Sequence, residues 1–166
     1  MSGLLKLAPD KLSGIFKRHK IMGIRSLHTE IRTKTTVVAA TIGANATKTG
    51  LVIDRQGYGG VEFIASYGSV TTTGTVCTLV IKEGDVTGTM TSVADASLLG
   101  TELLASLPAA TPRTAGSTKE VSKRIGYIGT KRYVSADVVQ TGVTSVGAVG
   151  VNCLLTHPYN QPTDNP

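Results

Sequence analysis

Three histidines, a handful of carboxylates, two cysteines and one basic-aromatic string are the residues of this chain whose types could do chemistry. His19, His28 and His157 are enough nitrogens for a zinc site, but they lie far apart and show no ligand spacing. Glu62, Asp85, Asp95, Glu102 and Asp137 are scattered carboxylates among which an acid-base pair of a glycosidase could be hidden. An all-β sugar enzyme lines its cleft with aromatics for stacking, and this chain offers two Phe, five Tyr and no Trp. Cys77 and Cys153 sit inside apolar runs and read as two buried free thiols acting as small hydrophobes. Their spacing fits no metal site, and nothing marks an oxidising compartment for a disulfide. Asn45-Ala46-Thr47 matches a glycosylation acceptor, a triplet common by chance. There is no phosphate-binding glycine loop, no HExxH, no GxSxG and no CxxC. These residues favour a binding or structural role over an enzyme. No catalytic residue, metal or cofactor is assigned.

The basic-aromatic string is "GYIGTKRYVSADV", Gly126 to Val138. A nucleic-acid groove interleaves cations with aromatics, so Lys131-Arg132-Tyr133, with Lys123-Arg124, is the candidate on the folded part. Gly129-Thr130 fits a two-residue type II′ hairpin turn, with glycine supplying a positive φ. That register pairs Ile128 with Lys131, Tyr127 with Arg132 and Gly126 with Tyr133. One face then carries Ile125, Tyr127, Arg132, Val134, Ala136 and Val138, with Arg132 stacked on Tyr127. The other carries Tyr133 over the bare backbone of Gly126. The basic pair is split between two faces, a poor phosphate clamp, and nucleic acid is not expected as a partner.

The elements that hold these residues follow from composition. At 166 residues the chain is long enough for one domain with a real core. Val, Thr and the 19 glycines are abundant, which points to strands and turns, hence an all-β fold. No apolar run is long enough to span a bilayer as a helix, and no membrane partner is expected. The net charge of +6 is concentrated. Residues 1–34 hold Lys6, Lys11, Lys17, Arg18, Lys20, Arg25, Arg32 and Lys34 against Asp10 and Glu30, which accounts for all of it. The remainder is neutral, so the basic character belongs to an N-terminal arm.

Within that arm, "APDKLSGIFKRHK" can form a short helix. Pro9 suits its first turn, Leu12, Ile15 and Phe16 make a stripe, and Lys17, Arg18 and Lys20 suit its C-terminal end. At this length it is marginal alone and needs a surface. A docking arm on a partner protein is the preferred reading over a nucleic-acid tail or a targeting or membrane-surface segment. Met22 could itself be a start site, making residues 1–21 an optional extension.

From Thr35 the pattern turns to strands. "TTVVAATI" puts Val38, Ala40 and Ile42 on one face; "VEFIASYG" puts Val61, Phe63, Ala65 and Tyr67 on one face and Glu62, Ile64 and Ser66 on the other; in "TVCTLVIKEGD" Cys77, Leu79 and Ile81 share a face, with a turn at Glu83-Gly84-Asp85. "ADASLLGTELLASL" reads as a broken helix, "PAATPRTAGSTK" as a loop, and three strands close the chain. Strands recurring every 10 to 15 residues between turn signals predict an antiparallel β-sandwich, jelly-roll or Ig-like. The organisation expected is an arm over 1–34, a sandwich over 35–158 and an extended, proline-broken tail over 159–166 that stays out of the sheets.

"DRQGYGGVEFIASYG", "VADASLLGTE", "KRIGYIGTKRYVSADV" and "LLTHP" resemble a family of small virion proteins from the head-gene clusters of tailed bacteriophages, over Ile53 to Pro158. The chain departs from that pattern in the long arm before Met22 and in the extended loop "PAATPRTAGSTKEV". The resemblance implies a non-enzymatic sandwich that decorates or stabilises the capsid exterior. It would act as a homo-oligomer, expected to be a trimer, with the major capsid protein as partner. Lys11, Leu12, Ile15, Phe16, Lys17, Arg18 and Lys20 are then the capsid-docking arm, and Gly57, Tyr58, Pro158 and Tyr159 the subunit contacts. A neck or tail subunit is the nearest alternative, and a carbohydrate-binding module for the host surface the alternative of another class.

Overall fold

Alternation decides the architecture. In Tyr58–Tyr67 every second residue from Val61 is buried, and in Val76–Val86 the same holds for Cys77, Leu79 and Ile81. Each such strand hides one face and needs a second layer to hide it against. The computed structural model, which describes residues 28–43, 45–70, 74–107, 114, 120–142 and 147–160, supplies that layer as a second sheet.

The strands are β1 (Ile31–Ala40), β2 (Thr47–Lys48), β3 (Ile53–Asp54), β4 (Tyr58–Tyr67), β5 (Val76–Val86), β6 (Thr89–Ser92), β7 (Leu98–Leu99), β8 (Val121–Tyr127), β9 (Tyr133–Thr141) and β10 (Val149–Pro158). The first sheet has the order β1-β10-β4-β8-β7 and the second β2-β9-β5-β6, with β3 also on β9. All pairings are antiparallel. Treating β2 and β3 as one interrupted strand, and β7 as an edge addition, leaves eight strands in two sheets of four, β1-β10-β4-β8 and β2/β3-β9-β5-β6, the order of a jelly roll. The sandwich reading therefore holds, in its jelly-roll form.

The interior is filled by side chains. Phe63, Tyr67, Ile125, Tyr127, Val151, Cys153 and Leu155 enter from the first sheet, and Cys77, Leu79, Ile81, Val134, Ala136 and Val138 from the second, all within 2% of full burial. Both cysteines are buried free thiols, as read from the sequence. Burial pushes the Cys153 thiol up to about 12.

The open edges are managed by side chains. Arg32 and Lys34 lie opposite Leu155 and Cys153 in the register and so sit on the inward-facing side of the edge strand β1, a placement that discourages further pairing. β6 covers β5 only from Lys82 onward. Upstream, the segment Glu102–Leu107 takes over: Ile81 N donates to Glu102 Oε1 at 2.6 Å, Leu79 N to Ser106 Oγ at 2.8 Å, and Cys77 and Leu107 exchange backbone bonds. Between β2 and β3 the ladder on β9 is broken, and Asp137 replaces it. Its Oδ1 accepts from Gly50 N at 2.9 Å and its Oδ2 meets Lys82 Nζ at 2.7 Å.

Several local expectations are corrected. In β1 it is Thr36 and Val37 that are buried, while Val38 is 63% exposed, because the strand carries irregularities on both sides of Val37. β1 begins at Ile31, four residues inside the segment read as the arm. β5 runs through Glu83-Gly84-Asp85 to Val86, and the turn falls at Thr87-Gly88. The broken helix resolves into a 3-10 turn (Asp95–Ser97), β7 and a single helical turn α1 (Glu102–Ala105), capped by Thr101. β10 continues through His157 to Pro158, which pairs with Tyr58; proline is tolerated there because it is the last residue of the strand.

Gly126 to Val138 is not a hairpin. β8 pairs with β4 and β7, and β9 pairs with β5, β2 and β3, so the stretch crosses from one sheet to the other. Gly129 does not adopt a positive φ. Its lack of a side chain serves a close approach: a Cβ there would lie 2.3 Å from the Tyr127 hydroxyl. Gly126 is covered by Leu99 and Glu62, not by Tyr133.

Candidate functional site

One pole of the sandwich gathers Tyr58, Tyr127, Tyr133 and Tyr159 together with a cluster of charged side chains. The register places Ile31 beside Thr156, Thr156 beside Gly60, Pro158 beside Tyr58, and Tyr133 beside both Gly84 and Asp54. The starts of β1, β4 and β9 and the ends of β3, β5, β8 and β10 therefore share this pole.

The corner between β3 and β4 is built by its own sequence. Asp54 Oδ1 accepts from Gln56 N at 2.9 Å, and Arg55 O accepts from Tyr58 N at 3.0 Å. Gly57 takes φ of 89°, the left-handed value that this kind of turn asks of its third residue. The corner then bonds to the last described residues: Tyr159 N donates to Gly57 O at 2.9 Å. Gly57, Tyr58, Pro158 and Tyr159, singled out from the sequence, are thus brought together. Tyr159 is 74% exposed.

Around the corner the charges are mostly paired. Arg132 Nη2 meets Asp54 Oδ2 at 2.6 Å and its Nε reaches both carboxylate oxygens at 3.1 Å, and its guanidinium lies 5.0 Å from the centre of the Tyr133 ring. That hydrogen bond is the main reason the Asp54 carboxyl is held below the usual range, and it raises Arg132 in turn. Lys131 Nζ meets Asp85 Oδ2 at 2.5 Å, which raises the lysine. The Tyr127 hydroxyl donates to Glu83 Oε2 and accepts from Lys131 N at 3.1 Å. Burial first, then that bond to Glu83, push the Tyr127 phenol up to about 12. Arg55 is held differently. Its guanidinium lies 5.3 Å from the centre of the Tyr127 ring, and its Nε donates to Lys131 O at 2.7 Å.

Two concavities open here. A cleft of about 270 Å³ lies among Arg55, Gln56, Tyr58, Thr130, Arg132 and Tyr159. A groove of about 430 Å³ runs over the outer face of the first sheet, floored by Gly59 and Gly60 and walled by Leu99, Ile128 and Leu154. His157 beside it adopts φ of 55°, a left-handed value uncommon for a residue other than glycine.

The carboxylates of the region are committed to structural contacts. Glu102 and Asp137, read as candidate acids, hold backbone edges, Asp85 is tied to Lys131, and Glu62 faces Arg124 at 3.8 Å. Among the described residues no group of three or more His, Cys, Asp or Glu could hold a metal ion, and no helix is long and apolar enough to cross a membrane. Lys11, Leu12, Ile15, Phe16, Lys17, Arg18 and Lys20 lie outside the described residues. Sequence reasoning missed Arg55 and misassigned Arg132, which stacks on Tyr133 rather than Tyr127. The glycine-rich string Gly57-Tyr58-Gly59-Gly60 is the sequence signal of the corner, but no sequence signal says which arginine lies over which ring.

No protein-family model matches the chain, and no curated protein does. Among solved structures it is similar to a chain of infectious bursal disease virus, strain Gx, with a TM-score of 0.48 and 12% identity over 80% of this chain and 33% of that one. The chain thus spans about a third of the viral chain's length. It is also similar to a chain of the disulfide-linked pili that form Bacillus endospore appendages, with a TM-score of 0.39 and 17% identity over 77% of this chain and 91% of that one.

Proposed function

We propose that the protein is a structural component of a virion, bound to the outside of a tailed-phage head and stabilising it by bridging capsid subunits. The observation that carries this reading is the shared pole. β1 starts there, immediately after the basic N-terminal segment, and Tyr58, Tyr159 and the apolar-walled groove open there as well. A single face thus offers charge for steering and aromatic and apolar surface for burial, the two ingredients of an assembly contact. The filled interior supports it too: with Phe63, Tyr67 and Tyr127 packed between the sheets, ligand contacts fall to the surface. The protein acts without catalysis, its partners being the major capsid protein and further copies of itself, as a trimer. Basic residues Lys11, Lys17, Arg18 and Lys20 lie on acidic capsid surface, and Leu12, Ile15 and Phe16 supply burial.

The test is co-sedimentation of the full chain and of a variant lacking residues 1–21 with DNA-filled heads. The full chain pellets with heads and the truncated one stays in solution while keeping its strand spectrum. Equal binding of both at raised salt would overturn the arm's role. Copy number per particle separates head decoration from a neck or tail position. A second reading is favoured by the cleft at Tyr58 and Tyr159, where a tyrosine platform borders Gln56 and Thr130: a carbohydrate module for the host surface. Hits on a glycan array with intact protein would establish it, and none are expected.

A further inference from the structure

The cations of this pole are not equivalent. Lys131 is paired with Asp85 and Arg132 with Asp54, whereas Arg55 meets no carboxylate among the described residues. Arg55 is nonetheless fixed. The Tyr127 ring lies under its guanidinium, and Lys131 O takes its Nε hydrogen. These contacts commit the inner edge of the fork and leave the two terminal amino groups without a described partner, on a residue that lines the 270 Å³ cleft. A guanidinium immobilised beforehand loses little freedom on binding, and its paired N–H groups match the two oxygens of a carboxylate.

We infer that this cleft is a receptor for a single carboxylate, the side chain of an aspartate or glutamate on an extended acidic segment of the protein that the pole docks against. The inference rests on the assembly reading above and names the chemistry of its contact. Charge selects the ligand. Among the residues that line the cleft, Arg132 is paired with Asp54 and Arg55 is the one cation without a carboxylate partner, a single fork that suits one carboxylate better than a dianionic phosphate. Gln56 and Thr130 border the same cleft with groups that can donate to a peptide backbone. Tyr159, largely exposed, closes over a bound segment as an aromatic anchor.

The experiment follows the Arg55 Nε–H resonance of the full chain by NMR while Ac-Gly-Glu-Gly-amide, Ac-Gly-Gln-Gly-amide and inorganic phosphate are added in turn. The glutamate peptide gives a saturable shift and the glutamine peptide none. Arg55→Lys, which removes that resonance and is followed by the backbone amide of Gln56 in the same cleft, weakens binding by about tenfold, because a point charge replaces a fork. Tyr159→Ala, at an exposed position, weakens it several-fold and leaves Arg55 in place to report. Equal shifts with the two peptides, tighter binding of phosphate than of the glutamate peptide, or no effect of either variant would overturn the inference. The two readings fail separately. Head binding without a peptide shift removes the receptor and keeps the assembly role, and a peptide shift without head binding does the reverse.

Discussion

Tyr127 on β8 donates its phenolic hydrogen to the Glu83 carboxylate on β5, so a single bond joins the two sheets at the pole where the chain crosses between them. The same oxygen accepts from Lys131 N, and the same ring lies under Arg55. Tyr127→Phe keeps the ring and removes the hydroxyl, leaving Glu83 and Lys131 N–H each short of a partner. The expected loss is about 1–3 kcal/mol, read as a lower urea midpoint at unchanged slope.

The pH dependence of stability has two limbs with opposite origins. Tyr127 has its folded value raised to about 12 against an ordinary value of about 10. Its contribution is complete below pH about 10 and is lost as pH climbs from there through 12. Burial raises Tyr67 and Cys153 in the same sense. Asp54 is depressed, chiefly by Arg132, so its contribution is present above pH about 4 and is lost as pH falls through the folded value. Urea midpoints measured across pH show a plateau between the limbs. Tyr127→Phe shrinks the alkaline limb and Asp54→Asn the acid one, and an alkaline limb of full size in Tyr127→Phe would refute the assignment.

Asp137 is 3% exposed and holds both Gly50 and Lys82. Asp137→Ala strands a buried N–H and an ammonium group, at an expected cost of about 3 kcal/mol. Gly50→Ala acts on the same spot sterically, since its Cβ would lie 2.1 Å from Ala136 O. Both variants lower the melting temperature, and their effects are not additive, because each detaches the same break in the ladder. A double mutant equal to the sum of the singles would show that the two sites are independent.

Cys77 and Cys153 are fully buried on opposite sheets. Burial denies a reagent access to both thiols, and Cys153, pushed up in pKa by that burial, offers little thiolate besides. Native protein is therefore inert to a disulfide-exchange reagent at neutral pH, and two thiols react together on unfolding. Rapid labelling of either one in native protein would contradict the core described here.

Much of the fold was legible because alternation is local. Val61, Phe63, Ala65 and Tyr67 could be assigned to one face from spacing alone, as could Cys77, Leu79 and Ile81. Even in the misread stretch the inward residues Ile125, Tyr127, Val134, Ala136 and Val138 were the right ones. Partner choice was not legible. A Gly-Thr between two strands looks the same whether they pair with each other or face each other across a core, and β8 is drawn to β4 because both have apolar faces to bury against the second sheet. The pole was half legible. Gly57 and Tyr58 carried a turn signature and Pro158 and Tyr159 an end to the strands, but the placement of Arg55 over Tyr127 depends on that misjudged crossing.

The position of β10 in the first sheet sets the timing of folding during synthesis. β10, the last of the described strands, lies between β1 and β4, strands made about a hundred residues earlier. Until it arrives, both expose unsatisfied backbone and half of the apolar interior. The first sheet therefore closes only after β10 has been made, and pairing at such long range slows folding.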